Sequence, residues 1–93
     1  MKNEPRIEFA PFFTKQRKAA PVEIKEAFLD TLELFLEDPD NPFLRNHRLR
    51  DKFAGLRSID VTPDIRAVFR EEQSGKRKVI TFHMLGTHKD LYG

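Results

Sequence analysis

Val79-Ile80-Thr81-Phe82-His83-Met84-Leu85-Gly86-Thr87-His88-Lys89-Asp90-Leu91-Tyr92-Gly93 closes the chain. Its β-branched and aromatic first half predicts a last strand over residues 78–85 that stops at Gly86. A threonine, a histidine and a tyrosine follow the glycine. Chain ends fray unless something ties them down, so this polar tail is either idle or held where His88 and Tyr92 are used. Upstream, Glu71 to Arg77 contains Ser74-Gly75 and predicts a turn. Before it, the runs Leu56 to Val61 and Ile65 to Arg70 flank Thr62-Pro63-Asp64 and predict a hairpin with a three-residue loop.

Alternation sorts the side chains of these strands by face. Ile80, Phe82 and Met84 form the expected core face of the last strand, with Thr81 and His83 opposite. Ile65, Ala67 and Phe69 share a face, as do Ile59 and Val61. Stacking the apolar faces puts Asp60, Arg66 and His83 on the open side of the sheet, an arrangement that a single bulge would reverse.

Further upstream, Arg45, His47, Arg48, Arg50 and Lys52 crowd a segment, Phe43 to Ala54, that reads as a loop ended by Gly55. Asp38-Pro39-Asp40-Asn41-Pro42 separates this loop from a helix, since proline disfavours helix at the residue before it. In that helix Ile24, Ala27, Phe28, Thr31, Leu32 and Phe35 repeat at the spacing of one buried face. Leu29, Leu34 and Leu36 are expected to widen the face. Pro21 fits the first turn, and Glu23 and Glu26 suit the positive end of the helix dipole. A shorter helix with Phe12 and Phe13 on one side precedes it, and Arg6-Ile7-Glu8-Phe9 alternates as a short strand ended by Pro11.

With 93 residues, a single domain over 1–93 and one modest core are expected. No cysteine is present, which excludes disulfides and thiolate metal sites. No apolar run approaches the ~18 residues of a membrane span, so no membrane is expected and the cytoplasm is the simplest location. Charge is uneven: Met1 to Leu44 carries six Lys/Arg against nine Asp/Glu, and Arg45 to Gly93 eleven against six. The basic half also holds all three histidines, and it would attract a polyanion such as RNA.

The order strand, two helices, hairpin, strand resembles the RelE/ParE toxin superfamily, and most of all its YafQ-like branch of ribosome-dependent messenger-RNA endonucleases. The likeness rests on His47-Arg48-Leu49, Gly55-Leu56-Arg57-Ser58, Pro63-Asp64-Ile65-Arg66-Ala67-Val68-Phe69 and Gly86-Thr87-His88-Lys89-Asp90-Leu91-Tyr92-Gly93. It implies an α+β, RelE-like fold, in which an N-terminal strand and a two-helix hairpin pack on a small, mainly antiparallel four-stranded sheet. It also implies the toxin of a type II toxin–antitoxin system, monomeric when free, with a cognate antitoxin, the ribosome and messenger RNA as partners and no cofactor. His47, Asp64, His88 and Arg66 fall at catalytic positions. Tyr92 falls at that of a functional aromatic, and Arg57, Asp60, His83, Arg48, Arg50 and Lys52 are expected to bind substrate. Three departures stand out. Met84 and Leu85 occupy the place of an arginine, Asp60 that of a second histidine, and Ile65 that of an aromatic.

The implied chemistry is metal-free attack of a ribose 2′-hydroxyl on the adjacent phosphate. It needs a base, an acid and cations for the phosphorane. Histidine suits both proton transfers because its pKa lies near ~6.5, and Arg66 or Arg57 suits the phosphate. In this scheme Asp64 orients a histidine and Tyr92 stacks on the nucleotide; which histidine is acid and which base stays open. Plainer roles fit the local sequence as well: His47 as an exposed loop residue, Asp64 as a turn former, Arg66 as an exposed strand arginine, Tyr92 as a staple for the tail. A metal site made of His47, His83 and His88 lacks any HExxH-like spacing. Two rival functions share the fold: a ParE-like inhibitor that binds DNA gyrase, and an inactive member that acts by binding alone.

Overall fold

A computed structural model describes residues 4–92. In chain order the elements are β1 (Arg6–Phe9), α1 (Pro11–Ala19), α2 (Val22–Glu37), β2 (His47–Arg48), β3 (Arg57–Asp60), β4 (Ile65–Ser74), β5 (Arg77–Thr87) and α3 (His88–Tyr92). The strands form one sheet in the order β1-β5-β4-β3-β2, antiparallel except where β1 runs parallel to β5. The α+β architecture is as expected, with one strand more. The extra strand is β2, two residues paired with β3 through His47 opposite Ser58 and Arg48 opposite Arg57. A two-residue strand has no periodicity of its own; only pairing with β3 defines it. The remainder of the expected loop holds two 3-10 turns, Pro42–Leu44 and Asp51–Phe53.

Aromatic packing joins the helices to the sheet. The Phe82 ring lies 5.3 Å from Phe28, edge-on at 87°, and 5.5 Å from both Phe13 and Phe69. Phe35 meets Phe69 at 5.1 Å, and Phe13, Phe28, Phe69 and Phe82 are wholly enclosed. Each buried phenylalanine is worth roughly 1.5–3 kcal/mol of transfer free energy, so this cluster dominates the core. α2 contributes Phe28, Thr31 and Phe35, as its spacing predicts. Leu29 and Leu36 do not widen the buried face; they are exposed. Each follows a core phenylalanine and so sits about 100° further round the helix, beyond the reach of the sheet.

β5 departs from simple alternation at one point. Phe69 pairs with Phe82 and Val68 with Met84, so His83 is an extra, unpaired residue. This bulge exchanges the faces beyond it. Leu85 joins Ile80 and Phe82 in the core, and Met84, expected there, lies opposite Val68 on the other face. β1 pairs only as far as Phe82. Beyond it, the Leu85 N–H donates to Gln16 Oε1 of α1 at 2.7 Å, which satisfies an edge that no strand covers among the described residues.

The face away from the helices has a partial cover of its own. Ser58 and Val68 point there and yet are fully buried, because the segment from Leu49 to Leu56 folds across them, closed by a Leu49 N–H to Leu56 C=O bond of 3.0 Å. Among the described residues the Ser58 hydroxyl has no hydrogen-bond partner beneath this cover.

Candidate active site

β3, β4 and β5 place Asp60, Arg66 and Gly86 side by side on the open face. Arg66 Nε donates to Asp60 Oδ1 at 3.3 Å, and Arg66 Nη1 donates to His88 Nδ1 at 3.1 Å. Arg45 Nε approaches the other Asp60 oxygen at 3.7 Å. The carboxylate is largely enclosed, 13% exposed, and so is Arg66 at 21%. Asp60 therefore acts as an anchor for two guanidinium groups; strand alternation puts it on the same face as Arg66, and the β3–β4 register sets the two side by side.

His88 is held by its backbone as well as by Arg66. Asp90 N–H donates to Thr87 Oγ1 at 3.0 Å, and Thr87 N–H donates to Asp90 Oδ2 at 3.2 Å. This reciprocal capping box fixes the first turn of α3. Hydrogen bonding from the Thr87 side chain, then from its backbone, holds the Asp90 carboxyl below its ordinary value. Gly86 lets the turn close: a Cβ there would stand 3.2 Å from the Asp90 Cβ.

His47 projects from β2 on the opposite side of an open cleft of about 440 Å³. Arg45, His47, Arg50, Lys52, Arg66 and His88 line it, together with Phe53 and one carboxylate, Asp51. Arg45 and Asp51 both adopt left-handed backbone conformations, φ 49° and 57°. These sharp turns carry the chain around the cleft at a cost of about 1–2 kcal/mol for a residue such as arginine.

Two contacts define the neutral tautomers. The Arg45 carbonyl, 2.7 Å from His47 Nδ1, only accepts, so Nδ1 carries the proton and Nε2 has the lone pair. The Arg66 guanidinium only donates, so His88 Nδ1 accepts and Nε2 carries the proton. Across one cleft the two rings are opposite in their proton placement.

The other expected site residues lie elsewhere. Asp64 sits exposed in the β3–β4 turn, its N–H bonded to Thr62 Oγ1 at 3.2 Å; among the described residues its carboxylate bonds neither histidine. Arg57 Nε donates to Asn46 Oδ1 at 2.9 Å, and Arg57 and Arg48 line a separate depression next to Glu71. His83, at the bulge, faces a groove with Phe12 and Met84. The Tyr92 side chain lies outside the described residues. Among the described residues no three His, Cys, Asp or Glu side chains group as metal ligands, and no helix is long and apolar enough to cross a membrane.

No protein-family model matches the chain, and no curated protein matches its sequence. Solved structures do. The YoeB/ParE toxin from Agrobacterium tumefaciens superposes with a TM-score of 0.72 at 16% identity, over 89% of this chain and 98% of that one. YafQ from E. coli strain BL21(DE3) gives 0.67 at 23% identity, over 97% and 100%. The E. coli DinJ–YafQ toxin–antitoxin complex gives 0.70 at 19%, over 98% and 100%. The chain has the fold of the RelE/ParE-type toxins.

On this RelE/ParE-type fold, the sequence assigned no positioning role to four residues that have one: Arg45, Asn46, Thr87 and Asp90. The last two were detectable, because Thr87-His88-Lys89-Asp90 has capping-box spacing. Arg45 and Asn46 act through a backbone turn and a long-range bond, for which the sequence offers no local signal.

Proposed function

We propose that this chain is the toxin of a toxin–antitoxin pair and cleaves messenger RNA by transesterification in the cleft between His47 and His88. The observation that carries this reading is the pair of Nδ1 contacts, His47 with the Arg45 carbonyl and His88 with Arg66, which give the two neutral rings complementary tautomers beside an anchored arginine. Such a pair supplies one ring ready to take a proton and one ready to give a hydrogen bond, the two needs of 2′-hydroxyl attack. The DinJ–YafQ likeness supports an antitoxin as partner.

His47 Nε2 removes the 2′-hydroxyl proton as the oxygen attacks phosphorus. Arg66, with donors beyond those given to Asp60 and His88, binds the phosphate oxygens. As the phosphate draws Arg66 Nη1 away, His88 Nδ1 is released and takes up a proton from solvent, matched by the one that His47 later returns to it. The resulting imidazolium delivers its Nε2 proton to the departing 5′ oxygen. The products are a 2′,3′-cyclic phosphate and a free 5′-hydroxyl, and no water is consumed in the step. Arg45, Arg50 and Lys52 add positive potential that gathers the polyanion. Asp60, by holding Arg66, takes the orienting role first expected of Asp64.

Analysis of the product ends tests the scheme. Cleavage of a translated message by the purified chain should leave a 2′,3′-cyclic phosphate and a 5′-hydroxyl. A 5′-phosphate product would rule out 2′-hydroxyl attack, and an intact message beside inhibited gyrase would favour the ParE-like alternative.

A further inference from the structure

Next to the cleft, on the same side of the sheet, lies a shallow groove of about 510 Å³ between the first turn of α1 and the segment over the sheet. Phe12, Phe53, Leu56, His83 and Met84 line it, and Arg70 stands at its edge. Phe53 lines both depressions, so the groove adjoins the cleft. Phe12 is 56% exposed and stacks on no other ring among the described residues. Arg70 is exposed and makes no ion pair among the described residues. Among the described residues no carboxylate belongs to the lining.

We propose that this groove is a nucleobase subsite, in which a base flanking the cleaved phosphate stacks on Phe12 against Met84 while Arg70 meets the backbone phosphate. The inference rests on the ribonuclease reading of the cleft. An exposed ring beside an unpaired cation and next to a phosphate-binding cleft is the usual platform for single-stranded RNA. A basic peptide finds no acidic partner in this lining, which favours the polyanion. His83 supplies the polar element. Its Nε2 is enclosed without a hydrogen-bond partner among the described residues, which leaves Nδ1 as the ring nitrogen for a base edge and makes His83 a candidate for sequence preference.

Met84 is a convenient reporter, since the only other methionine is Met1. The test uses full-length chain labelled at its methionine methyl groups and histidine rings, titrated with short uncleavable 2′-O-methyl RNA oligonucleotides. One set is intact; the others carry a single abasic residue at successive positions. The proposal expects an upfield ring-current shift at Met84 together with shifts at His47 and His88. It expects one abasic position to weaken binding on the order of 5- to 100-fold. Phe12→Ala should weaken the intact oligonucleotide similarly and that abasic one little. Shifts at His47 and His88 with Met84 unmoved would overturn the subsite while leaving the cleft reading standing. No shift at any of the three would overturn both. A Met84 shift produced only by an antitoxin would assign the groove to protein and overturn the nucleobase proposal.

Discussion

The two sides of the sheet follow different rules. Toward α1 and α2, side chains interlock ring on ring, and Phe13, Phe28, Phe69 and Phe82 are wholly buried. Away from the helices, short turns and left-handed residues carry a cover over Val68 and Ser58 and hold cations around a cleft. One side secures the fold through apolar area; the other places donors and acceptors through hydrogen bonds to carboxylates and backbone. The difference teaches that damage on each side should have a different signature, in stability on the first and in activity on the second.

The largest effect on stability should come from Phe82→Ala. Truncating a buried phenylalanine costs about 3–5 kcal/mol, a large part of the 5–15 kcal/mol that holds a domain folded. Denaturant titration should show the midpoint falling steeply, and a loss under 1 kcal/mol would mean that the ring cluster is not the core's centre. On the other side, His47→Ala should lower the cleavage rate by on the order of a hundred- to ten-thousand-fold. Its unfolding free energy should stay within about 0.5 kcal/mol of wild type, as for exposed sites; an equal loss of both would dissolve the distinction.

That contrast also explains how much was legible in the sequence. The buried side followed from period: Ile24 through Phe35 on α2, then Ile59, Ala67, Phe69, Ile80 and Phe82 on the strands. That Asp60 and Arg66 share the open face followed from the same alternation; the β3–β4 register sets them side by side. Met84 and Leu85 did not, because the bulge at His83 depends on how β5 meets β4 and leaves no local mark. β2 was hidden for a similar reason, since His47 and Arg48 form a strand only by pairing with β3. Of the residues that the resemblance singled out, His47, Arg50, Lys52, Arg66 and His88 line one cleft, while Asp64, Arg48, Arg57 and His83 lie elsewhere.

A smaller effect sharpens the comparison at the anchor. Asp60→Ala releases both Arg66 and Arg45, and a displacement of about 1 Å at a reacting group costs up to ~100-fold in rate. Single-turnover cleavage should fall by that order while the Phe82 ring cluster keeps its native shifts. Retained full activity would show that Arg66 does not depend on its anchor.

The smallest effect concerns the tail. Thr87→Ala should cost ~1 kcal/mol of local stability by removing a cap, seen as faster amide exchange at Asp90 and Leu91. The Asp90 carboxyl is held below its ordinary value, so the folded state favours its charged form. Its contribution is complete above the ordinary aspartate range and disappears as pH falls through the lowered value. Acid should therefore loosen α3, and Asp90→Asn should remove that pH response. An unchanged acid response in Asp90→Asn would assign it to other groups.

Primer extension on a translated message, after brief induction of the wild-type chain or of His88→Ala, tests the central claim most directly. The account predicts discrete cuts with wild type that vanish in the variant, with the variant still folded and still bound by its antitoxin. Cuts that persist in a folded His88→Ala chain would contradict it.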